Sequence, residues 1–213
     1  MRKKKCRIFD MDFTTSERGP CWDFVNYDTL QADERGLDPK VPWPDGLFAV
    51  TRGPWTPPPY LEPPRFIIDP RLGNPLRDAE VRDNFLFISG KFKRLIEEIA
   101  PNTCEFRACV TEHRNGEPGP EIWLCALVKA FRDSIDMAAS KVTLNKMGGY
   151  MFSEEIYLCF KEKEMLDVHL FRIAENSSGF FCDEYFKSKC KEHGIKRILF
   201  KEIGELKLHA EEM

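Results

Sequence analysis

Hydrophobic and polar positions alternate along this chain with two different periods, and one arrangement of them occurs twice. Phe87-Ile88-Ser89-Gly90-Lys91-Phe92-Lys93-Arg94-Leu95-Ile96-Glu97-Glu98 is matched 94 positions later by Phe181-Cys182-Asp183-Glu184-Tyr185-Phe186-Lys187-Ser188-Lys189-Cys190-Lys191-Glu192. In each copy an apolar pair runs into a short polar residue, Ser89 or Asp183, whose side-chain oxygen can cap a helix N-terminus. A Phe-Lys pair follows three residues on. Phe92, Leu95, Ile96 and Ile99 then fall at i, i+3, i+4 and i+7, one face of a helix. Pro101 stops the first helix. Gly194 suits the end of the second, where a left-handed residue is needed. Each helix leads to an apolar stretch, Cys104 to Val110 and Ile198 to Ile203, that reads as a strand.

Further strands are expected at Cys6 to Phe13, Ile156 to Phe160 and His169 to Ile173. The apolar run Ile122 to Val128 reads as a buried strand, although periodicity alone leaves a helix open. Asn115-Gly116-Glu117-Pro118-Gly119-Pro120 and Glu175-Asn176-Ser177-Ser178-Gly179 read as turns. The expected fold is α+β, with a mixed sheet and two similar helix–strand units.

Proline changes the picture upstream. Residues 39–75 carry eleven of the fifteen prolines, interleaved with Trp43, Trp55, Tyr60 and Phe66. Proline lacks a backbone donor and fixes φ, so this stretch is neither helix nor central strand. A polyproline ligand is one reading. The aromatics favour a segment wrapped over a folded body, since disordered linkers are poor in them. The expected organisation is an acidic, proline-rich N-terminal segment over 1–75 packing on the core, an α+β domain over 76–208, and a tail over 209–213.

The chain of 213 residues carries a net charge of −3, which does not suggest a nucleic-acid partner. The charge is uneven: between Ile8 and Leu47 nine acidic residues stand against three basic ones. Asp23, Asp28, Asp33 and Glu34 in that stretch, with the aromatics Trp43 and Trp55, are the candidate contact residues for a protein partner. An ordinary solvated loop is the alternative. No apolar run reaches the length of a membrane span, and Arg7, Asp10 and Asp12 interrupt any signal-like core behind Arg2 to Lys5. A cytoplasmic protein with no membrane partner is expected. The eight cysteines show no C-x-x-C pair and several lie in apolar runs, as buried thiols do in a reducing compartment.

Catalytic and metal-binding patterns are sparse. His113, His169, His193 and His209 lack metal-ligand spacing, and neither a metal nor a cofactor is expected. A nucleophilic pair such as Cys182 with His169, or acid/base work by Asp133 and Asp136, would make the protein an enzyme with a dispersed site. Gly148-Gly149 lacks a phosphate-loop frame. An adaptor using the proline-rich segment is a third reading.

Three stretches carry a family resemblance. They are Ile122-Trp123-Leu124-Cys125-Ala126-Leu127 leading to Asp133-Ser134-Ile135-Asp136 and Ser140, then Leu170-Phe171-Arg172-Ile173, then Cys182 to Lys187 with Gly194-Ile195 and Ile198-Leu199-Phe200. Residues 85–203 resemble the eleventh immunity-protein family of bacterial polymorphic toxin systems. Asp183 stands where that family more often has Ser. The resemblance implies a non-enzymatic cytoplasmic protein that binds and neutralises a cognate toxin domain encoded beside it, and it implies no catalytic residue. Nothing in the sequence fixes an oligomeric state.

Overall fold

The computed structural model describes residues 5–13, 19–27, 29–30, 60–82, 85–144, 150–151, 156–161, 165, 167–174 and 176–207. In chain order the strands begin with β1 (Lys5–Asp12), β2 (Trp22–Phe24), β3 (Arg65–Ile68), β4 (Ala79–Arg82) and β5 (Phe85–Ser89), followed by α1 (Gly90–Ile99). Next come β6 (Cys104–Ala108), β7 (Val110–His113), β8 (Ile122–Leu127), β9 (Ala130–Phe131), β10 (Thr143–Leu144), β11 (Tyr150–Met151) and β12 (Leu158–Phe160). The chain closes with β13 (Leu170–Ile173), β14 (Asn176–Asp183), α2 (Glu184–Glu192) and β15 (Leu199–Lys207). The fold is α+β, mostly sheet, with two helices among the described residues.

Two compact units form, and both are assembled from separated stretches. One comprises Met1–Asp12, Lys129–Gly194 and Leu199–Met213; the other comprises Phe13–Val128 and Ile195–Ile198. This division runs across the compositional boundary expected at residue 75, because residues on both sides of it share the second unit.

The first unit holds a mixed six-stranded sheet in the order β12-β15-β1-β14-β13-β9. β1 is antiparallel to both its neighbours, β14 and β15, so β14 and β15 run parallel with the N-terminal strand between them. Ile8 packs on one face with Phe131, Leu158, Phe160, Phe171, Phe181 and Ile203. Phe9 lies on the other, with the Lys187 ammonium of α2 3.8 Å from its ring centroid. At the β12–β15 pair Leu158 is in register with Gly204, and a Cβ at that glycine would collide with the Leu158 carbonyl. Asp183 caps α2 by accepting the Phe186 N–H at 2.8 Å, and Phe186 is wholly buried. Gly194 takes φ +61° after α2, as its expected role requires.

The second unit stacks three layers. A three-stranded sheet, β2-β3-β7, packs on a four-stranded sheet, β4-β5-β8-β6, through Trp22, Phe24, Phe66 and Ile68 against Phe87, Ile122 and Leu124. The rings meet edge to face, with Trp22–Phe66 centroids 4.6 Å apart and Phe66–Phe87 5.1 Å apart. α1 contacts β5 and β8 through its buried positions Phe92, Leu95, Ile96 and Ile99. Ser89 caps it, its Oγ accepting the Phe92 N–H at 3.2 Å. Here too the strands either side of the helix, β5 and β6, are parallel, with antiparallel β8 between them.

Three sequence expectations are corrected. Residues 39–75 were expected to hold no central strand, yet Arg65–Ile68, a proline-free run within them, is β3, the middle strand of β2-β3-β7. The run Cys104 to Val110 is two strands in different sheets, because the chain changes partner at Cys109. The Cys109 N–H donates to Ile122 of the four-stranded sheet, and the next N–H, of Val110, donates to Pro64 beside β3. The turn expected over 175–179 is placed too late: β14 already begins at Asn176, paired with Ile173 of β13, and Ser177-Ser178-Gly179 lie within the strand where the β13–β14 register shifts.

Candidate functional site

The three-stranded sheet presents an outward face. β2 buries Trp22 and Phe24 and turns Asp23 to solvent; β3 buries Phe66 and Ile68 and turns out Arg65 and Ile67. In register with these lie Val110 and Glu112 of β7. Asp23 pairs across to Ile67, so the face carries Asp23, Ile67 and Glu112 in one row and Arg65 beside Val110 in the next. Arg65 and Glu112 form an exposed ion pair at 4.0 Å, of little energetic consequence. Val25 and Leu61 are also exposed.

At one end of this face the parallel strands β3 and β7 stop together, Ile68 in register with His113, and a turn follows each. After β3, Asp69-Pro70-Arg71-Leu72 closes with the Leu72 N–H donating to the Asp69 carbonyl at 3.0 Å, proline in the second position where its fixed φ suits the turn. After β7, the Gly116 N–H donates to the His113 carbonyl at 2.8 Å, with Gly116 at φ +83°. Between the turns is an open cleft of about 720 Å³ lined by both.

Asp69 organises the cleft. Its side chain is only 7% exposed. Oδ1 accepts the Arg71 backbone N–H at 3.0 Å and Nε at 2.9 Å, while Oδ2 accepts Arg71 Nη2 at 2.9 Å and Arg114 Nη1 at 2.9 Å. The Arg71 backbone N–H, and then its guanidinium, hold the Asp69 carboxyl below its ordinary range. The two guanidiniums point outward, 71% and 61% exposed.

Of the contact residues expected from sequence, Asp23 is on β2, exposed on the outward face. Asp28, Asp33, Glu34, Trp43 and Trp55 lie outside the described residues, as do Gly148, Gly149 and His209. Asp69, Arg71 and Arg114 were missed. The Asp-Pro and Asn-Gly turns were visible signals, but the 45-residue separation of Asp69 and Arg114 carries no local pattern.

The expected chemical pairs have structural roles. The Cys182 thiol is fully buried, and that burial first, then Cys190 and Asp183, raise its pKa well above the ordinary value, the opposite of an activated thiolate. His169 points to Asp183, with Nδ1 and Oδ2 2.8 Å apart. Asp136 and Ser140 pin a loop to β12: Asp136 Oδ1 accepts the Ala138 N–H, and Ser140 Oγ donates to the Asp136 carbonyl and accepts the Cys159 N–H at 2.8 Å. Arg172 is buried with its guanidinium 4.3 Å from the Phe180 ring centroid. All eight cysteines are thiols outside any disulfide. Among the described residues no His, Cys, Asp and Glu cluster is placed to hold a metal ion, and no helix is long and apolar enough to cross a membrane.

The residues that resembled an immunity family thus fall in both units, with Ile122–Leu127 forming β8 of the second and Leu170–Ile173 and the Asp183 cap belonging to the first. The model of the Immunity protein family (Imm11) matches residues 5–205. The chain belongs to that family. The match reaches back from the expected 85–203 to β1, which the structure places between β14 and β15. No curated protein matches the chain. Imm11 membership makes toxin neutralisation the broad role, and the outward face and cleft lie within the matched residues.

Proposed function

We propose that this Imm11 protein is a non-enzymatic inhibitor that binds one cognate bacterial toxin domain in the cytoplasm and holds it inactive as a stoichiometric complex. The observation that carries this reading is the family match across residues 5–205. The toxin encoded beside it supplies the test: the purified toxin domain and this chain should co-elute as one complex, and the toxin alone should be active. Failure to form a complex would remove the reading.

The contact surface we propose is the acidic stretch of Asp23, Asp28, Asp33 and Glu34 with Trp43 and Trp55. Support comes from the nine-to-three excess of acidic residues there and from the exposure of Asp23 beside Ile67 and Glu112. Acidic side chains steer a basic partner into encounter, and aromatics buried on contact slow its departure. Reversing the four charges should lower the association rate and flatten its salt dependence. An unchanged rate and slope would reject this surface and leave the immunity reading standing.

We also propose that the two helix–strand units are variants of one building block. β4-β5-α1-β6 with β8 inserted and β13-β14-α2-β15 with β1 inserted share strand order, relative strand direction and cap position, which supports that reading.

A further inference from the structure

The cleft at the ends of β3 and β7 presents two exposed guanidiniums held by one buried acid. Its one deeply placed acid, Asp69, has both oxygens engaged by Arg71 and Arg114, so the charge it shows to a visitor is that of the guanidiniums. Arg114 gives Asp69 only Nη1; its Nε and Nη2 donors make no hydrogen bond among the described residues. A guanidinium fixed by a buried acid keeps its planar fork preorganised, and that fork matches a carboxylate. On the Asp69 side the lining includes the apolar residues Ile68 and Pro70, of which Pro70 is exposed. Glu117, the other acid lining the cleft, has no ion pair with Arg114 among the described residues.

We propose that this cleft receives one Asp or Glu side chain of the partner toxin, paired with Arg114 and flanked by an apolar residue that packs on Pro70. The proposal rests on the toxin-binding reading and adds an anchor to it. Arginine with apolar neighbours in a concave, partly desolvated setting is the composition that dominates protein interfaces.

The test has two arms. In the first, the full chain carrying ¹⁵N-arginine is titrated with millimolar acetyl-Leu-Glu-amide or acetyl-Leu-Gln-amide while the Arg114 Nε–Hε resonance is followed. The Glu peptide should move it saturably and the Gln peptide should not; no movement, or equal movement by both, overturns the proposal. In the second, Arg114→Gln is compared with the wild type for binding the purified cognate toxin domain. The Kd should rise about 30-fold, the size of an interface anchor, whereas Arg94→Gln on α1 should leave it unchanged. An unchanged Kd for Arg114→Gln also overturns the proposal. If the wild-type chain binds no toxin, the immunity reading fails instead, and the peptide titration still decides the cleft.

Discussion

Nδ1 of His169 lies 2.8 Å from Oδ2 of Asp183, while Oδ1 of the same carboxylate accepts the Phe186 N–H at 2.8 Å. One side chain therefore ends β14, caps α2 and ties down the residue preceding β13. A serine here would supply the cap but has no second oxygen for the imidazole. Asp183→Ala should lose both interactions and Asp183→Ser only one. Cap loss alone costs about 1 kcal/mol, so the denaturant midpoint should fall clearly further for Ala than for Ser. Equal losses would mean that the cap contributes nothing.

Phe92 and Phe186 stand three residues after their caps and are 1% and 0% exposed. Truncating either leaves a cavity that rigid sheet neighbours cannot collapse. Phe92→Ala and Phe186→Ala should each cost about 3–5 kcal/mol, read from urea unfolding of the full chain. A cost below 1 kcal/mol at either position would contradict its place in the core.

Asp10 lies half-buried on the central strand β1. Burial, and then the neighbouring charge of Asp12, raise its pKa from 3.8 to about 6 against the opposing pull of Lys201 and the Met11 N–H. The folded state thus keeps a proton that the unfolded chain releases near pH 4. Stability from this group is fully present below pH 4 and is lost as pH rises through about 6. Asp10→Asn should remove that slope and be more stable at neutral pH by about 2 kcal/mol. Thermal midpoints measured from pH 4 to 7.5 check it; parallel curves for the two proteins would refute it.

Much of the fold was legible because it is local. A cap and its Phe are three residues apart, and the α1 face repeats within two turns, so Ser89, Asp183 and the helix cores could be read directly. Sheet membership was not, because it depends on distant partners. Cys104 to Val110 is one apolar stretch, and only Ile122 and Pro64 decide that it divides at Cys109. β1 was legible as a strand over Cys6 to Phe13, but its place between β14 and β15, where Ile8 and Phe9 bury opposite faces and Arg7 pairs with Glu184 and Glu202, was not. Charge counting singled out Asp23, which the structure places exposed on β2. The cleft did not, since Asp69 and Arg114 meet only when β3 and β7 pair in parallel.

Titration of the cognate toxin's activity against this protein tests the central claim most directly. A stoichiometric inhibitor removes activity linearly and completely at one equivalent, and the inhibited toxin regains activity when the complex is dissociated. Complete protection at about a hundredth of an equivalent, or toxin that stays inactive after separation, would show turnover and contradict neutralisation by binding.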